Sequence, residues 1–421
     1  MKNRESNLNI LLVGPYPPPF GGISSLFVNL LPGLKKLGAN EVHVLHFTDM
    51  ERKKELDGSI IHKFNLKTQF LRLLLPWNLV DVFKLFMIYK DYNISLGKLY
   101  KSILKSILVK KISEKHSSNI ISFYQSDNAL ELIGCRHILD QSVGISLQIF
   151  GEIFEEENDF IRNNPELFKD VVNLPDIVTA PSHHCSQAFK TINIPREVEV
   201  IYSGVDFSRF TNLDSKRLEL RNSYGYKDKE VVFLFLGRFD KHMGLDKFID
   251  AIPKVIESEI PTKFILAGAS GPLDKLALGF QWGNKENVQI MTNVPFDDVP
   301  GLYAVADVIC APSLGQRACM GLSIKEAMAC KKAVIGTNSG GIPEAIIDGE
   351  TGIIVNHLED GKIDVNGLAE AMMKLSADSE LRMKMGELGF ERGKELFTDQ
   401  QTVDKTYDVF QRCVYKRLAK S

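Results

Sequence analysis

A chain of 421 residues with 44% hydrophobic and 25% charged residues is ordinary for a globular protein, and it exceeds what one hydrophobic core holds. A formal net charge of −2 excludes a protein built mainly around nucleic-acid binding. The six cysteines, Cys135, Cys185, Cys310, Cys319, Cys330 and Cys413, show no CxxC spacing, which fits free thiols rather than a disulfide framework or a cysteine zinc site.

In chain order, the first element is the apolar run "LNILLVG", which ends in glycine and prolines and lacks a small-residue cleavage pattern. It is expected to be a strand buried on both faces, not a signal peptide. The pair Gly21-Gly22 follows, then a helix over about Ser24 to Leu37 that sets Leu26, Leu30, Leu34 and Leu37 on one side. "EVHVLHF" resumes strand character and completes a βαβ unit, and "NIISFY", "GISLQIF" and "DIVTAPS" read as further short strands of the same layer.

The stretch Ile60 to His116 departs from this pattern, with eleven Lys or Arg against three Asp or Glu among many Leu, Ile and Phe. "FLRLLLPWNLVDVFKLFMIYK" and "LGKLYKSILKSILVKKI" can be drawn as helices with apolar and basic faces, and Trp77, Tyr89 and Tyr92 suit a headgroup boundary. An anionic membrane surface is one expected partner for this region; a pair of core helices with solvated lysines is the alternative. No apolar run reaches the roughly 18 residues of a spanning helix, so the expectation is a cytoplasmic protein, at most peripheral at the inner face of the cell membrane.

After about Tyr202 the alternation restarts with "EVVFLFLG", a helix around Leu245 to Ser258, then "KFILAGA", "NVQIMT", "DVICAPS", "AVIGTN" and "GIIV". The expected class is α/β, with two Rossmann-like doubly wound domains over 1–201 and 202–399. The amphipathic segment 400–421 would pack back on the first domain, an expectation that rests on family resemblance more than on period. Ligands in such folds bind outside the carboxyl ends of the strands, which here carry Gly237-Arg238, Gly268, Ala311-Pro312-Ser313 and Thr337 to Gly341.

Each of these points has its own chemistry. Gly21 and Gly22 permit close backbone approach beside a helix start whose free N–H groups suit an anion, but the motif is not GxGxxG. Arg238 ends a strand, where a guanidinium forks onto phosphate oxygens, and Lys241 stands nearby as a helper. Glu326, between Gly321 and a small-residue helix begun by Ser323, can accept two hydrogen bonds from adjacent ribose hydroxyls, or else pair with Lys325 or Lys331. Gly340 and Gly341 form a second glycine turn, stiffened by Pro343 and braced by Glu344. Nine histidines include the neighbours His183 and His184, but no HExxH or comparable ligand spacing is present, so no metal and no cofactor are expected.

Taken in order, "PPPFGGIS", "APSHHCSQAF", "YSGVDFSRF", "FLGRFDKHMG", "YAVADVICAPS", "GLSIKEAMAC" and "SGGIPEAIIDGETGIIV" resemble the retaining GT-B glycosyltransferases called family 4 or group 1. The resemblance spans nearly the whole chain and is strongest from Val200 to Val355. It implies two Rossmann-like domains facing a cleft, a nucleotide-diphosphate sugar held by the second, and a glycan or lipid-linked acceptor held by the first. It also implies retention at the anomeric carbon without a metal, in cell-surface polysaccharide or glycolipid synthesis. Carried over, Gly237-Arg238 and Lys241 hold the diphosphate and Glu326 the ribose. Met320, Gly321 and Leu322 offer backbone contacts, Gly340 and Gly341 border the donor, and Gly21-Gly22 approach it from the first domain.

Three positions depart from the family pattern. The phosphate-binding lysine expected five residues after the arginine is Met243; the first glutamate of EX7E is Ala318, or Gln316 if the loop is longer; and the expected active-site histidine aligns with Gln148. These departures leave a catalytically impaired binding or assembly subunit as an alternative, and a sugar-nucleotide epimerase as a weaker one.

Overall fold

The computed structural model describes residues 7–17, 22–47, 52–56, 58–124, 130–151, 164–191, 193–211, 213–279 and 287–420. Gly21 lies outside them. The chain forms two compact units: Met1–Pro18 with Ile23–Ile201 and Thr402–Ser421, and Pro19–Gly22 with Tyr202–Gln401.

The first unit is built on an eight-stranded sheet. Its strands are β1 (Asn9–Val13), β2 (Glu41–Phe47), β3 (Arg52–Leu56), β4 (Ser59–Phe64), β5 (Ile120–Phe123), β6 (Gly144–Gln148), β7 (Ile177–Ala180) and β8 (Glu199–Val200), in the order β3-β4-β2-β1-β5-β6-β7-β8. All pairings are parallel except β3 with β4. The continuous apolar runs of β1, β5 and β6 are buried, as strands covered on both faces must be. Helix α1 (Gly22–Lys36) follows β1 and buries Leu26, Phe27, Leu30, Leu31 and Leu34.

The stretch from Ile60 to His116, expected to stand apart from the sheet pattern, begins within it: β4 pairs with β2 and carries Ile60 to Phe64 into the sheet. Alternation in "SIIHKF" is too short to stand out against the helical periodicity that follows it. Two longer helices then form, α2 (Leu79–Tyr89) and α3 (Leu96–Lys115). Helix α3 is a core helix, with Ile103, Leu104, Ile107, Leu108, Val109 and Ile112 buried. Tyr89 does not sit at a boundary: it is fully buried and its hydroxyl donates to the Leu130 carbonyl, while Tyr92 is tied to the Asp170 carboxylate. Trp77 is exposed. Among the described residues no helix is long and apolar enough to cross a membrane.

The C-terminal helix spans Asp399–Leu418, and Thr402–Ser421 belongs to the first unit. Arg412 forks onto both oxygens of Glu199, and Arg417 meets Asp176 at 2.6 Å. Cys413 packs where Gly144 leaves room: a Cβ on that glycine would stand 3.0 Å from the Cys413 Cβ.

The second unit has a six-stranded, all-parallel sheet of β9 (Val231–Leu236), β10 (Thr262–Gly268), β11 (Val288–Thr292), β12 (Val308–Ala311), β13 (Ala333–Thr337) and β14 (Ile353–Val355). Its order, β11-β10-β9-β12-β13-β14, is the 3-2-1-4-5-6 arrangement of a dinucleotide-type fold. The principal helices are α6 (Leu245–Glu257), α7 (Val299–Val305), α8 (Leu322–Ala329), α9 (Ile342–Ala345), α10 (Val365–Ala377) and α11 (Ser379–Leu396), after α4 (Leu130–Ile138) and α5 (Pro165–Asn173) of the first unit. Separate apolar clusters fill the two faces, one around Phe233, Phe235, Phe248 and Phe264, the other around Leu234, Ile265, Ile309 and Met328. The order reverses between β9 and β12, which opens a crevice at their carboxyl ends.

Candidate active site

Two loops meet at that crevice. The first leaves β9 as Gly237-Arg238 and runs to α6; Phe239 is buried as its anchor, and its N–H donates to the Ala269 carbonyl at 3.0 Å. Arg238 is 64% exposed, with its Nε 4.0 Å from Asp240, so the guanidinium retains most of its hydrogen-bonding capacity. Lys241 is exposed in the turn. The second loop leaves β12 at Pro312-Ser313 and runs to α8. The two are pinned together, because the Leu314 N–H donates to the His242 carbonyl at 2.8 Å. Gly244, at φ +72°, lies so close to Pro312 that a Cβ would stand 1.7 Å from its carbonyl oxygen.

Met243 stands where the family pattern expects a lysine. Its backbone N–H donates to Asp240 at 3.0 Å, and its side chain is partly buried against the apolar cluster of β9 and α6. The Met243 methyl would be 2.9 Å from a Cβ on Gly237. The side chain is therefore folded under the arginine loop, and thioether packing takes the place of a charge.

Gly321, at φ +73°, starts α8, whose first residue is Leu322; Ser323 lies inside the helix rather than at its start. Met320 is buried in the core, its main chain included, while Gly321 and Leu322 are partly exposed. Glu326 sits on α8, partly buried, and accepts from the Tyr303 hydroxyl at 2.7 Å. The suggested lysine partners are engaged elsewhere: Lys325 is buried and donates to the Ser203 carbonyl at 2.7 Å, and Lys331 meets Glu387 at 2.9 Å. Desolvation pushes the Glu326 carboxyl above its ordinary range, opposed by the Tyr303 hydrogen bond and by the charge of Arg209. Arg209 is held in turn by the Phe296 carbonyl at 2.9 Å and lies 3.6 Å from the Phe296 ring centroid.

The glycine turn after β13 closes the group. Gly340, at φ +53°, lies against Ala318, whose carbonyl accepts from the Gly341 N–H at 2.7 Å. Ala318 thus serves the loop through its backbone, and Gln316 is exposed in the same loop. Glu344 accepts from the Tyr202 hydroxyl at 3.4 Å, and the α9 carbonyls of Glu344 and Ala345 are capped by Arg392.

Gly237, Arg238, Lys241, Gln316, Met320, Gly321, Leu322, Glu326, Gly340 and Gly341 therefore all belong to the strand-end loops, or to the helix they feed, at one edge of one sheet. Gln148 lies in the other unit, at the carboxyl end of β6, buried, with its amide oxygen accepting from Thr179 at 3.2 Å. Gly22 is exposed at the start of α1. Sequence reasoning missed Tyr303 and Arg209 as partners of Glu326; both lie within motifs it used, "YAVADVICAPS" and "YSGVDFSRF".

Comparison with known proteins agrees with this geometry. Residues 216–392 match the family Glycosyl transferases group 1. The N-acetyl-alpha-D-glucosaminyl L-malate synthase of Bacillus anthracis is 25% identical over 72% of this chain and 78% of its own length. A GDP-mannose-dependent alpha-(1-6)-phosphatidylinositol monomannoside mannosyltransferase of Mycolicibacterium smegmatis is 31% identical over 52% of this chain and 57% of its own. The fold is that of sucrose-phosphate synthase from Thermosynechococcus elongatus, with a TM-score of 0.74 at 18% identity over 98% of this chain and all of that one. Residues 216–392, most of the second unit, thus match the group 1 glycosyltransferases, and the chain as a whole has the GT-B fold.

Proposed function

We propose that this glycosyltransferase moves a sugar from a nucleotide-diphosphate donor to a glycan or lipid-linked acceptor, with retention of anomeric configuration and without a metal in the transfer step. The observation that carries the donor half is the pinned pair of loops at the β9/β12 crevice, which puts an exposed guanidinium and an enclosed carboxylate on the same sheet edge. Arg238 would hold the diphosphate and oppose the charge that grows as the sugar–phosphate bond breaks. Glu326 would accept from the ribose hydroxyls, with Tyr303 fixing its orientation. The acceptor hydroxyl would attack from the face the diphosphate leaves, its proton passing to the departing phosphate oxygen. That route rests on positioning and charge rather than on a protein nucleophile.

A lipid-linked acceptor, made at a cell membrane for polysaccharide or glycolipid synthesis, is supported by the outer face of α2. Val80 is 77% exposed, Phe83 67% and the neighbouring Trp77 74%, with Leu79, Phe86 and Met87 beside them. The charges of this helix point back to the protein: Asp81 pairs with Lys110 at 2.6 Å and Lys84 donates to the His137 carbonyl. Lys90, the C-cap of α2, and Lys98 and Lys101, early in α3, are exposed, and an apolar face accompanied by lysines suits an anionic bilayer. One relative bears the name of a phosphatidylinositol monomannoside mannosyltransferase.

The donor half is tested by thermal unfolding of the purified chain with uridine, guanosine, adenosine and cytidine diphosphates and their sugar conjugates. Selective stabilisation by one base, roughly 2.7 kcal/mol at a hundredfold excess over Kd, is expected. No stabilisation by any nucleotide, together with no transfer from any of these sugars, would sink the proposal. Anomeric analysis of the product by NMR decides retention.

A further inference from the structure

On the first unit's sheet, far along the chain from the donor loops, three histidines converge. His43 on β2 and His62 on β4 share a face, because the parallel register sets His43 beside Ile60 and Leu45 beside His62. The third, His116, is the C-cap of α3. His43 Nδ1 is 3.0 Å from His62 Nε2, and the His43 and His116 rings are 3.9 Å apart. One ligand nitrogen from each of the three lies within 4.8 Å of the others. His43 and His62 are buried, and the His116 side chain is 14% exposed.

Glu41 gives this cluster a direction. One of its carboxylate oxygens lies 2.9 Å from His43 Nε2 and 3.5 Å from His116 Nδ1. A carboxylate accepts only, so both of those nitrogens present their N–H to it, and the lone pairs fall on His43 Nδ1 and His116 Nε2. Among the described residues His116 Nε2 is buried without a hydrogen-bond partner. His43 Nδ1 faces a third imidazole nitrogen instead of a donor of fixed type. Carboxylate, histidine and ion in line is the usual outer arrangement of an imidazole metal site. Ligand nitrogens bound at about 2.0–2.1 Å around a tetrahedral zinc ion stand about 3.3 Å apart, within a few tenths of an ångström of the His43–His62 spacing. The negative end of the α3 dipole adds a favourable field.

We propose that His43, His62 and His116 bind one divalent transition-metal ion of zinc type, with Glu41 orienting two of the three imidazoles. The cluster sits toward the amino end of β2, whereas ligands of this fold enter at carboxyl ends, so the ion serves as a staple holding the end of α3 to β2 and β4. Linear spacing hides the site, because the ligands are separated by the helices and strands that the fold brings together.

The test uses the full chain, stripped with a chelator and dialysed, then titrated with Zn²⁺ by calorimetry and with Co²⁺ by visible absorption. Expected are one ion per chain, d–d bands of a four-coordinate nitrogen site without thiolate charge transfer, and a melting temperature raised by roughly 5 °C at a hundredfold excess over Kd. His62→Gln and His116→Gln should each abolish the stoichiometric uptake, while Glu41→Gln, at a surface position that leaves the fold intact, should weaken it about 10–100-fold. Absence of one-to-one uptake by the unaltered chain overturns the proposal. So does uptake that is unchanged in Glu41→Gln and His116→Gln, or that shows thiolate bands, since either places the ion elsewhere.

Discussion

The Tyr303 hydroxyl donates to the Glu326 carboxylate at 2.7 Å in a setting where burial raises the carboxyl's pKa. A carboxyl raised above its unfolded value adds stability that is fully present below the unfolded pKa and is lost as pH rises through the folded one. Ionised Glu326 is therefore a cost to the unliganded fold at neutral pH. Glu326→Gln removes the titration and keeps an oxygen for Tyr303, so its melting temperature should equal or exceed the parent's at pH 7, with the difference closing toward about pH 4. Nucleotide-diphosphate binding should fall about tenfold or more with loss of the charged acceptor. A variant that is less stable at pH 7 than at pH 4, relative to the parent, would contradict the burial argument.

Met243 tests the departure that bears most directly on rate. A lysine stem can follow much of the methionine's path beneath Gly237 and bring its ammonium out at the loop edge. Met243→Lys should raise kcat about tenfold or more if the diphosphate lies over this loop, with about 1 kcal/mol lost from stability because the apolar packing is disturbed. Kinetics with the donor identified by thermal shift would decide it. An unchanged kcat with a folded variant would mean that the diphosphate charge is met elsewhere.

Much of this was legible in the sequence, for one reason: strands buried on both faces read as uninterrupted apolar runs. "EVVFLFLG" and "DVICAPS" announced β9 and β12, and the residues after them announced the crevice. Short elements were harder. Strand β4 escapes notice because six residues cannot establish a period of two beside a long amphipathic stretch. Tyr89 shows a second limit, since an aromatic residue on a basic amphipathic helix reads the same whether its hydroxyl meets water or the Leu130 carbonyl. Contacts between distant segments, such as Arg209 and Tyr303 near Glu326 or the three histidines, have no linear signature.

Gly340 separates steric clash from backbone strain. At φ +53° with a Cβ 2.0 Å from the Ala318 carbonyl, Gly340→Ala pays both the left-handed penalty and a displacement of the loop that precedes Gly321. Gly349, at φ +76° with nothing within 4 Å of a Cβ, carries the strain alone. Chemical denaturation should show a loss of about 1 kcal/mol for Gly349→Ala and about 2–4 kcal/mol for Gly340→Ala, and only the second should weaken nucleotide binding. Equal losses in the two variants would show that the Ala318 contact is not limiting.

The outer face of α2 offers a test that leaves the donor site untouched. Val80 and Phe83 lie a turn apart on an exposed apolar surface, so charged replacements cost the fold little. On a bilayer they would place carboxylates among acyl chains. Val80→Glu with Phe83→Glu should abolish flotation with vesicles containing anionic phospholipid, while the melting temperature and nucleotide-induced stabilisation stay within about 0.5 kcal/mol of the parent's. Neutral vesicles should bind the parent more weakly, and added salt should weaken anionic binding through Lys90, Lys98 and Lys101. If the parent chain does not float with either kind of vesicle, or the double variant floats as well as the parent, then the face is not a membrane contact and the acceptor must be sought among soluble glycans.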